Sequence, residues 1–154
     1  MWSTIEPFTR RDAEACVGWR YEPPYDFYDG DRFPDDVAEF LDPANWIETY
    51  FAVRDERGDL VGFFEFEWKG DEIEVGLGLR PDLTGRGLGG SFVRAALAFA
   101  EHRWTPASFR LEVATWNERA IRTYEACGFA RGEGYDHDVG NGETVRFLRM
   151  HRPA

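Results

Sequence analysis

Residues 80–102 read RPDLTGRGLGGSFVRAALAFAEH, a turn with four glycines that opens directly into an apolar helical run. A glycine turn feeding a helix N-terminus aims several backbone N–H groups at one point, with the positive end of the helix dipole behind them. That is a cradle for a pyrophosphate, and it requires a strand leading in and a helix leading out. Gly85, Gly87 and Gly90 satisfy the dinucleotide fingerprint G-x-G-x-x-G, and Glu112 lies at about the spacing of a ribose-binding acid. In a dinucleotide unit, however, the first glycine follows its strand directly. Here residues 80–84 intervene, and Pro81 interrupts backbone pairing. The ATP-binding signature G-x-x-x-x-G-K-[ST] fails because no lysine follows the glycines. What remains is a phosphate site on a small mixed sheet.

The rest of the chain supplies that sheet. Residues 4–8 read as a strand, and Thr9 can cap a helix through Ala13 and Val17, with Trp19 beside it. Residues 19–33 hold Pro23, Pro24 and Gly30 among many aromatics, which argues for an ordered loop that packs onto or covers something. Pro34 starts a short helix, with Val37, Phe40 and Leu41 at helical spacing, that ends near Pro43. Strands follow at 49–54, 60–68 and 72–79, joined by turns at 56–59 and 69–71. A helix over 88–102 places Leu88, Phe92, Ala96, Phe99 and Ala100 on one side. A strand at 109–114, a helix at 118–127 and a hairpin of 129–138 with 144–150, around Gly140-Asn141-Gly142, complete the chain. A meander followed by one strand–helix–strand crossover gives an α/β (α+β) fold, a mixed, mostly antiparallel sheet flanked by helices.

At 154 residues the chain is expected to form one domain, 1–154, with six Trp, six Tyr and 13 Phe to fill its core. Cys16 and Cys127 have no metal-type spacing, nor do His102, His137 and His151, so no metal is expected. Eighteen Lys plus Arg against 29 Asp plus Glu give a formal charge of −11, which repels nucleic acid and anionic lipid and attracts cations. Membrane-length apolar runs and signal-peptide patterns are both missing, and the expectation is a soluble cytoplasmic protein.

The glycine turn also resembles the acetyl-CoA motif of the GNAT superfamily of N-acyltransferases, Q/R-x-x-G-x-G/A after a strand ending in V-x-P. Here Leu79-Arg80-Pro81 leads to Thr84-Gly85-Arg86-Gly87-Leu88-Gly89. Thr84 stands where the family has Gln or Arg, which removes a long side chain but keeps the glycine N–H groups. Residues 111–129, LEVATWNERAIRTYEACGF, resemble the family's second block N-x-x-A-x-x-x-Y-x-x-x-G-F through Asn117, Ala120, Tyr124, Gly128 and Phe129. Within the family this block is most similar to the ribosomal-protein N-terminal acetyltransferases. In element order the resemblance spans 48–150, and the first third of the chain is only loosely covered.

Several expectations come from the resemblance. The sheet should carry a splayed central strand pair, 72–79 against 109–114, with pantetheine in the gap. Acetyl-CoA should contact Leu77, Leu79, Thr84, Gly85, Arg86, Gly87, Leu88, Gly89, Gly90, Asn117, Ala120 and Tyr124. Tyr124 matches the family's general acid, whereas by its position alone it could be a core tyrosine. Gly76 and Gly78 either admit close backbone approach or simply relieve packing.

An amine attacking a thioester also needs a group to take its proton. Glu112 is the first candidate base, as in the N-terminal acetyltransferases it resembles, and Glu74 on the partner strand is the second; Glu72 and Glu65 are weaker. Cys127 is read as a buried structural thiol rather than a nucleophile. The acceptor is expected to be a small-molecule or peptide amine, with Tyr25, Asp26 and Tyr28 as substrate-side candidates through charge and cation–π contacts. The same loop could instead be a hydrophobic lid. The competing readings are an acyl-CoA sensor of the same fold and, more remotely, a nicotinamide oxidoreductase. The 129–150 hairpin offers an edge on which a homodimer could form.

Overall fold

A computed structural model describes residues 1–46, 48–140 and 142–154. The elements run β1 (Thr4–Pro7), α1 (Arg10–Val17), a short 3₁₀ turn (Tyr25–Tyr28), α2 (Pro34–Leu41), a second 3₁₀ turn (Pro43–Asn45), β2 (Tyr50–Arg54), β3 (Leu60–Lys69) and β4 (Glu72–Leu79). A third 3₁₀ turn (Pro81–Leu83) precedes α3 (Gly89–Trp104), β5 (Ser108–Ala114), α4 (Glu118–Ala126), β6 (Ala130–Gly140) and β7 (Glu143–Pro153). The strands form one seven-stranded sheet in the order β1-β2-β3-β4-β5-β7-β6. β4 and β5 are parallel, as a crossover through α3 requires, whereas β1/β2, β5/β7 and β6/β7 are antiparallel. This is the mixed sheet flanked by helices that the hydrophobic pattern predicts.

The chain gathers into two compact units, 1–64 with 78–84, and 65–77 with 85–154. In the first, Thr9 and Asp12 form a reciprocal capping box that starts α1: the Thr9 hydroxyl accepts from the Asp12 N–H, and the Asp12 carboxylate accepts from the Thr9 N–H. Asp12 is only 4% exposed, and its second oxygen accepts from Arg54 at 2.8 Å, which ties α1 to β2. Phe8, Ala13, Cys16, Trp46, Tyr50 and Ala52 make the core of this unit. Phe8 lies edge-on to Phe40, Trp46 and Tyr50 at 5.5–5.7 Å between ring centres.

In the second unit, α3 buries Phe92, Val93, Ala96, Leu97 and Ala100. The expected face needs correction at two places. Leu88 is the residue before the helix, and Phe99 is half-buried, its ring over Phe66 at 5.8 Å beside Trp104, while Val93 and Leu97 take interior positions. The last two strands are longer than their polar sequence suggests, since β7 is flanked by β5 and β6 and backbone pairing holds it along its length. The turn expected at 140–142 includes Asn141, which lies outside the described residues.

Candidate active site

The site is built where β4 and β5 part. Their ladder pairs Glu72 with Ser108, Ile73 with Phe109 and Glu74 with Arg110, and stops there, although β4 continues to Leu79 and β5 to Ala114. β5 stays in register with β7 throughout, Leu111 with Met150, Glu112 with Arg149, Val113 with Leu148 and Ala114 with Phe147. Beyond Glu74 and Arg110 the two strands therefore frame a gap, the splay that the sequence resemblance implies. An extended ligand can lie in such a gap as an added strand would.

The strand glycines have separate reasons. A Cβ on Gly78 would lie 2.0 Å from the Phe63 ring, so that glycine exists to let the aromatic pack; a Cβ on Gly76 would lie 3.1 Å from the Glu65 carboxylate. At the end of β4 the Leu79 carbonyl accepts from the Tyr21 hydroxyl at 2.7 Å, and the Thr84 hydroxyl donates to the Pro81 carbonyl at 2.7 Å. Burial pushes the Tyr21 hydroxyl well above the usual phenol range, which makes it a structural donor.

The glycine turn is built of backbone that only glycine adopts readily. Gly85 and Gly87 have φ of +69° and +77°, a region that favours glycine, and a Cβ on Gly87 would meet nothing within 4 Å. The α3 N-terminus has no side-chain cap, so its first N–H groups and dipole are available to an anion. Two guanidinium groups border the turn: Cβ atoms built on Gly85 and Gly90 would come within 3.4 Å of Arg119 and 3.2 Å of Arg94.

The second sequence block sets α4 beside that turn. The Asn117 side chain, on a residue 7% exposed, accepts from the Ala120 N–H and caps the helix. Thr123 sits under Gly89, where a Cβ would approach it to 3.4 Å, and the Cys127 thiol donates to the Gly90 carbonyl at 3.6 Å. Gly128, at φ +93°, turns the chain out of the helix, and the Phe129 N–H returns to the Tyr124 carbonyl at 3.0 Å. Tyr124, next to Thr123, is half-buried with its ring edge-on to Phe129.

The two candidate bases meet on one face of the sheet. Arg110 Nε donates to Glu74 at 3.1 Å and lies 4.0 Å from Glu112. Glu112 accepts from Arg149 Nε at 2.7 Å and from the Tyr135 hydroxyl at 2.7 Å, and its side chain is 19% exposed. Burial and the adjacent Glu112 raise the Glu74 pKa, outweighing Arg110 and Lys69. Glu72 is engaged by His151 Nδ1 at 2.8 Å. Sequence reasoning missed Arg110, Tyr135 and Arg149. Their alternation along strands was visible, but the register that brings them to Glu112 was not.

The proposed acceptor residues belong to the other unit. Tyr25, Asp26 and Tyr28 share the 3₁₀ turn; Tyr28 is 40% exposed, and Phe27 lies edge-on to Tyr28 and Phe33. Trp19, by contrast, stacks on Phe63, Asp29 accepts from the Tyr21 N–H, and Asp31 pairs with Arg20. These three anchor the loop. Among the described residues no cluster of His, Cys, Asp and Glu could hold a metal, and no helix is long and apolar enough to cross a membrane.

Residues 3–130 match the family described as acetyltransferase (GNAT) domain. The chain belongs to the GNAT acetyltransferase family. Its donor is acetyl-CoA. The match begins at residue 3, so the first third of the chain, loosely covered by sequence resemblance alone, lies within the family. No curated protein matches the sequence. Among solved structures, a chimera of spermidine N-acetyltransferase SpeG from Vibrio cholerae and hSSAT is similar over 97% of this chain and 94% of its own, with 21% identity and a TM-score of 0.79. The Vibrio cholerae spermidine N-acetyltransferase in complex with CoA and spermine is similar over the same shares, with 20% identity and a TM-score of 0.77. At these identities the likeness is one of fold.

Gly87→Asp places a side chain at positive φ and a negative charge in the cradle. Calorimetry should find acetyl-CoA affinity reduced more than about tenfold, about 1.4 kcal/mol, in a variant with unchanged circular dichroism. Unchanged affinity would place the pyrophosphate elsewhere.

Proposed function

We propose that the protein transfers an acetyl group from acetyl-CoA to a primary amine, on a small molecule or a peptide, by direct attack in a ternary complex. The observation that carries this reading is the ladder between β4 and β5 that ends at Glu74 and Arg110, in the same compact unit as the glycine turn, two carboxylates and Tyr124. When bound, acetyl-CoA supplies a thioester carbonyl for the amine to attack and a thiolate that must be protonated.

The residues divide the remaining work. Backbone N–H groups of 86–90 hold the pyrophosphate, assisted by the N-terminus of α3. A carboxylate of the Glu74/Glu112 pair takes a proton from the incoming ammonium, whose pKa of roughly 8 to 10 makes most of it charged at neutral pH. Tyr124 gives its phenolic proton to the leaving sulfur, acting as the general acid. The net charge of −11 supports a cationic acceptor, and the spermine complex of a structural neighbour is an amine of that kind.

A panel of primary amines tested for thiol release from acetyl-CoA should show turnover with at least one cationic member. No release with any amine, together with intact acetyl-CoA binding, would sink the enzyme reading in favour of a sensor. With the best amine, Tyr124→Phe should leave acetyl-CoA affinity nearly unchanged and lower kcat by about 10- to 10⁴-fold.

The rings and acid of the 3₁₀ turn are proposed to select the amine. Tyr25→Ala, Tyr28→Ala or Asp26→Asn should raise the amine KM and leave the acetyl-CoA KM nearly unchanged. Salt should affect the amine KM less in the Asp26 variant, since screening weakens only the charged part of the attraction. Equal damage to both KM values would make the segment a structural lid.

A further inference from the structure

Two carboxylates at one site cannot do the same work, and their surroundings differ. Glu112 is held from three directions: Arg149 of β7 donates to Oε1 at 2.7 Å, Tyr135 of β6 donates to Oε2 at 2.7 Å, and Arg110 stands 4.0 Å away on its own strand. The clamp is itself braced. The Arg149 guanidinium lies 5.2 Å above the Tyr135 ring and donates to Glu133 at 3.2 Å, while Tyr135 stacks on Phe147 at 6.0 Å. Glu74 accepts from Arg110 and lies within hydrogen-bonding reach of Glu112. Lys69 of β3 acts on it from a distance. Further along the same strands are Glu65, against Gly76, and the Glu72–His151 pair, whose imidazole also faces Glu133 at 3.6 Å.

We propose that Tyr135 and Arg149 are positioning residues that hold Glu112 as a fixed anion and so leave Glu74 as the carboxylate that takes the proton of the amine. The inference rests on the acetyltransferase reading and refines it. Donors on both oxygens fix the Glu112 carboxylate in place, with the Arg149 guanidinium set against its negative charge. That retained negative charge, with burial, favours the protonated form of its neighbour, which is how a carboxylate is brought toward neutral pH to act as a base. In the step itself an N–H bond of the substrate ammonium breaks, its electron pair stays on nitrogen as the attacking lone pair, and the proton moves to a Glu74 oxygen. Glu74 becomes a neutral acid that later releases the proton to water.

The test uses two readouts on the full chain: carbon-13 NMR titration of the glutamate carboxylates without donor, and the acid limb of kcat with the best amine. In the wild-type protein Glu74 should titrate at higher pH than Glu112, and kcat should fall as pH drops through the Glu74 midpoint. Glu112→Gln removes the neighbouring negative charge, so the Glu74 midpoint and the acid limb should both move down by about one pH unit or more. Glu74→Gln should abolish the limb and lower kcat at least about 10²-fold. Tyr135→Phe and Arg149→Gln should raise the Glu112 midpoint toward that of Glu74, and Arg149→Lys, which keeps the charge, should restore most of the separation.

A higher midpoint for Glu112 than for Glu74, loss of the acid limb in Glu112→Gln, or wild-type titration in Tyr135→Phe would each overturn the proposal. Absence of thiol release with every amine would instead fall on the acetyltransferase reading, and the NMR midpoints judge the clamp without it.

Discussion

The structure of the second unit depends on a change of partner by one strand. β5 begins paired with both β4 and β7, and after Arg110 its ladder continues with β7 alone. Burial explains why the interrupted ladder can hold. Phe109, Leu111 and Val113 are buried, so packing retains β5 where pairing with β4 ends. The alternate residues Arg110 and Glu112 project to the opposite face, and the strand that frames the gap is also the strand that carries charge into it.

The gap is specialised by two kinds of electrostatics. At its glycine end, positive φ at Gly85 and Gly87 and an uncapped helix start present backbone N–H groups with few side chains in the way. On the sheet face, arginines and carboxylates alternate across β4, β5, β7 and β6, and each ion pair constrains the next. Arg110 joins Glu74 to Glu112, and Arg149 joins Glu112 to Glu133. Such a network contributes more through the positions it imposes than through stability, because charges withdrawn from water repay little of their desolvation cost.

Much of this was legible in the residues. The turn glycines Gly85 and Gly87 take left-handed backbone and Asn117 caps α4 as local rules require, and the crossover helix follows the apolar run after the turn. Glu112 was singled out by its resemblance to the N-terminal acetyltransferases and Glu74 by its place on the partner strand. The partners of Glu112 were not, because Tyr135 and Arg149 reach it through the register of β5 against β7 and of β7 against β6, which no local pattern encodes. Trp19 and Tyr21 illustrate the opposite difficulty. They lie in or beside the aromatic loop that was expected to pack onto or cover something, and only the structure shows that one stacks on Phe63 and the other donates to the Leu79 carbonyl.

The central claim is that the donor enters the gap between β4 and β5 with its pyrophosphate at the glycine turn. Residue-resolved amide hydrogen exchange with and without acetyl-CoA tests it most directly. The account predicts slowed exchange at 75–77, 86–90 and 111–114, and unchanged exchange across the β6–β7 pairing at 143–146. Protection confined to other segments, with exchange at 75–77 and 86–90 unaltered under saturating acetyl-CoA, would contradict it.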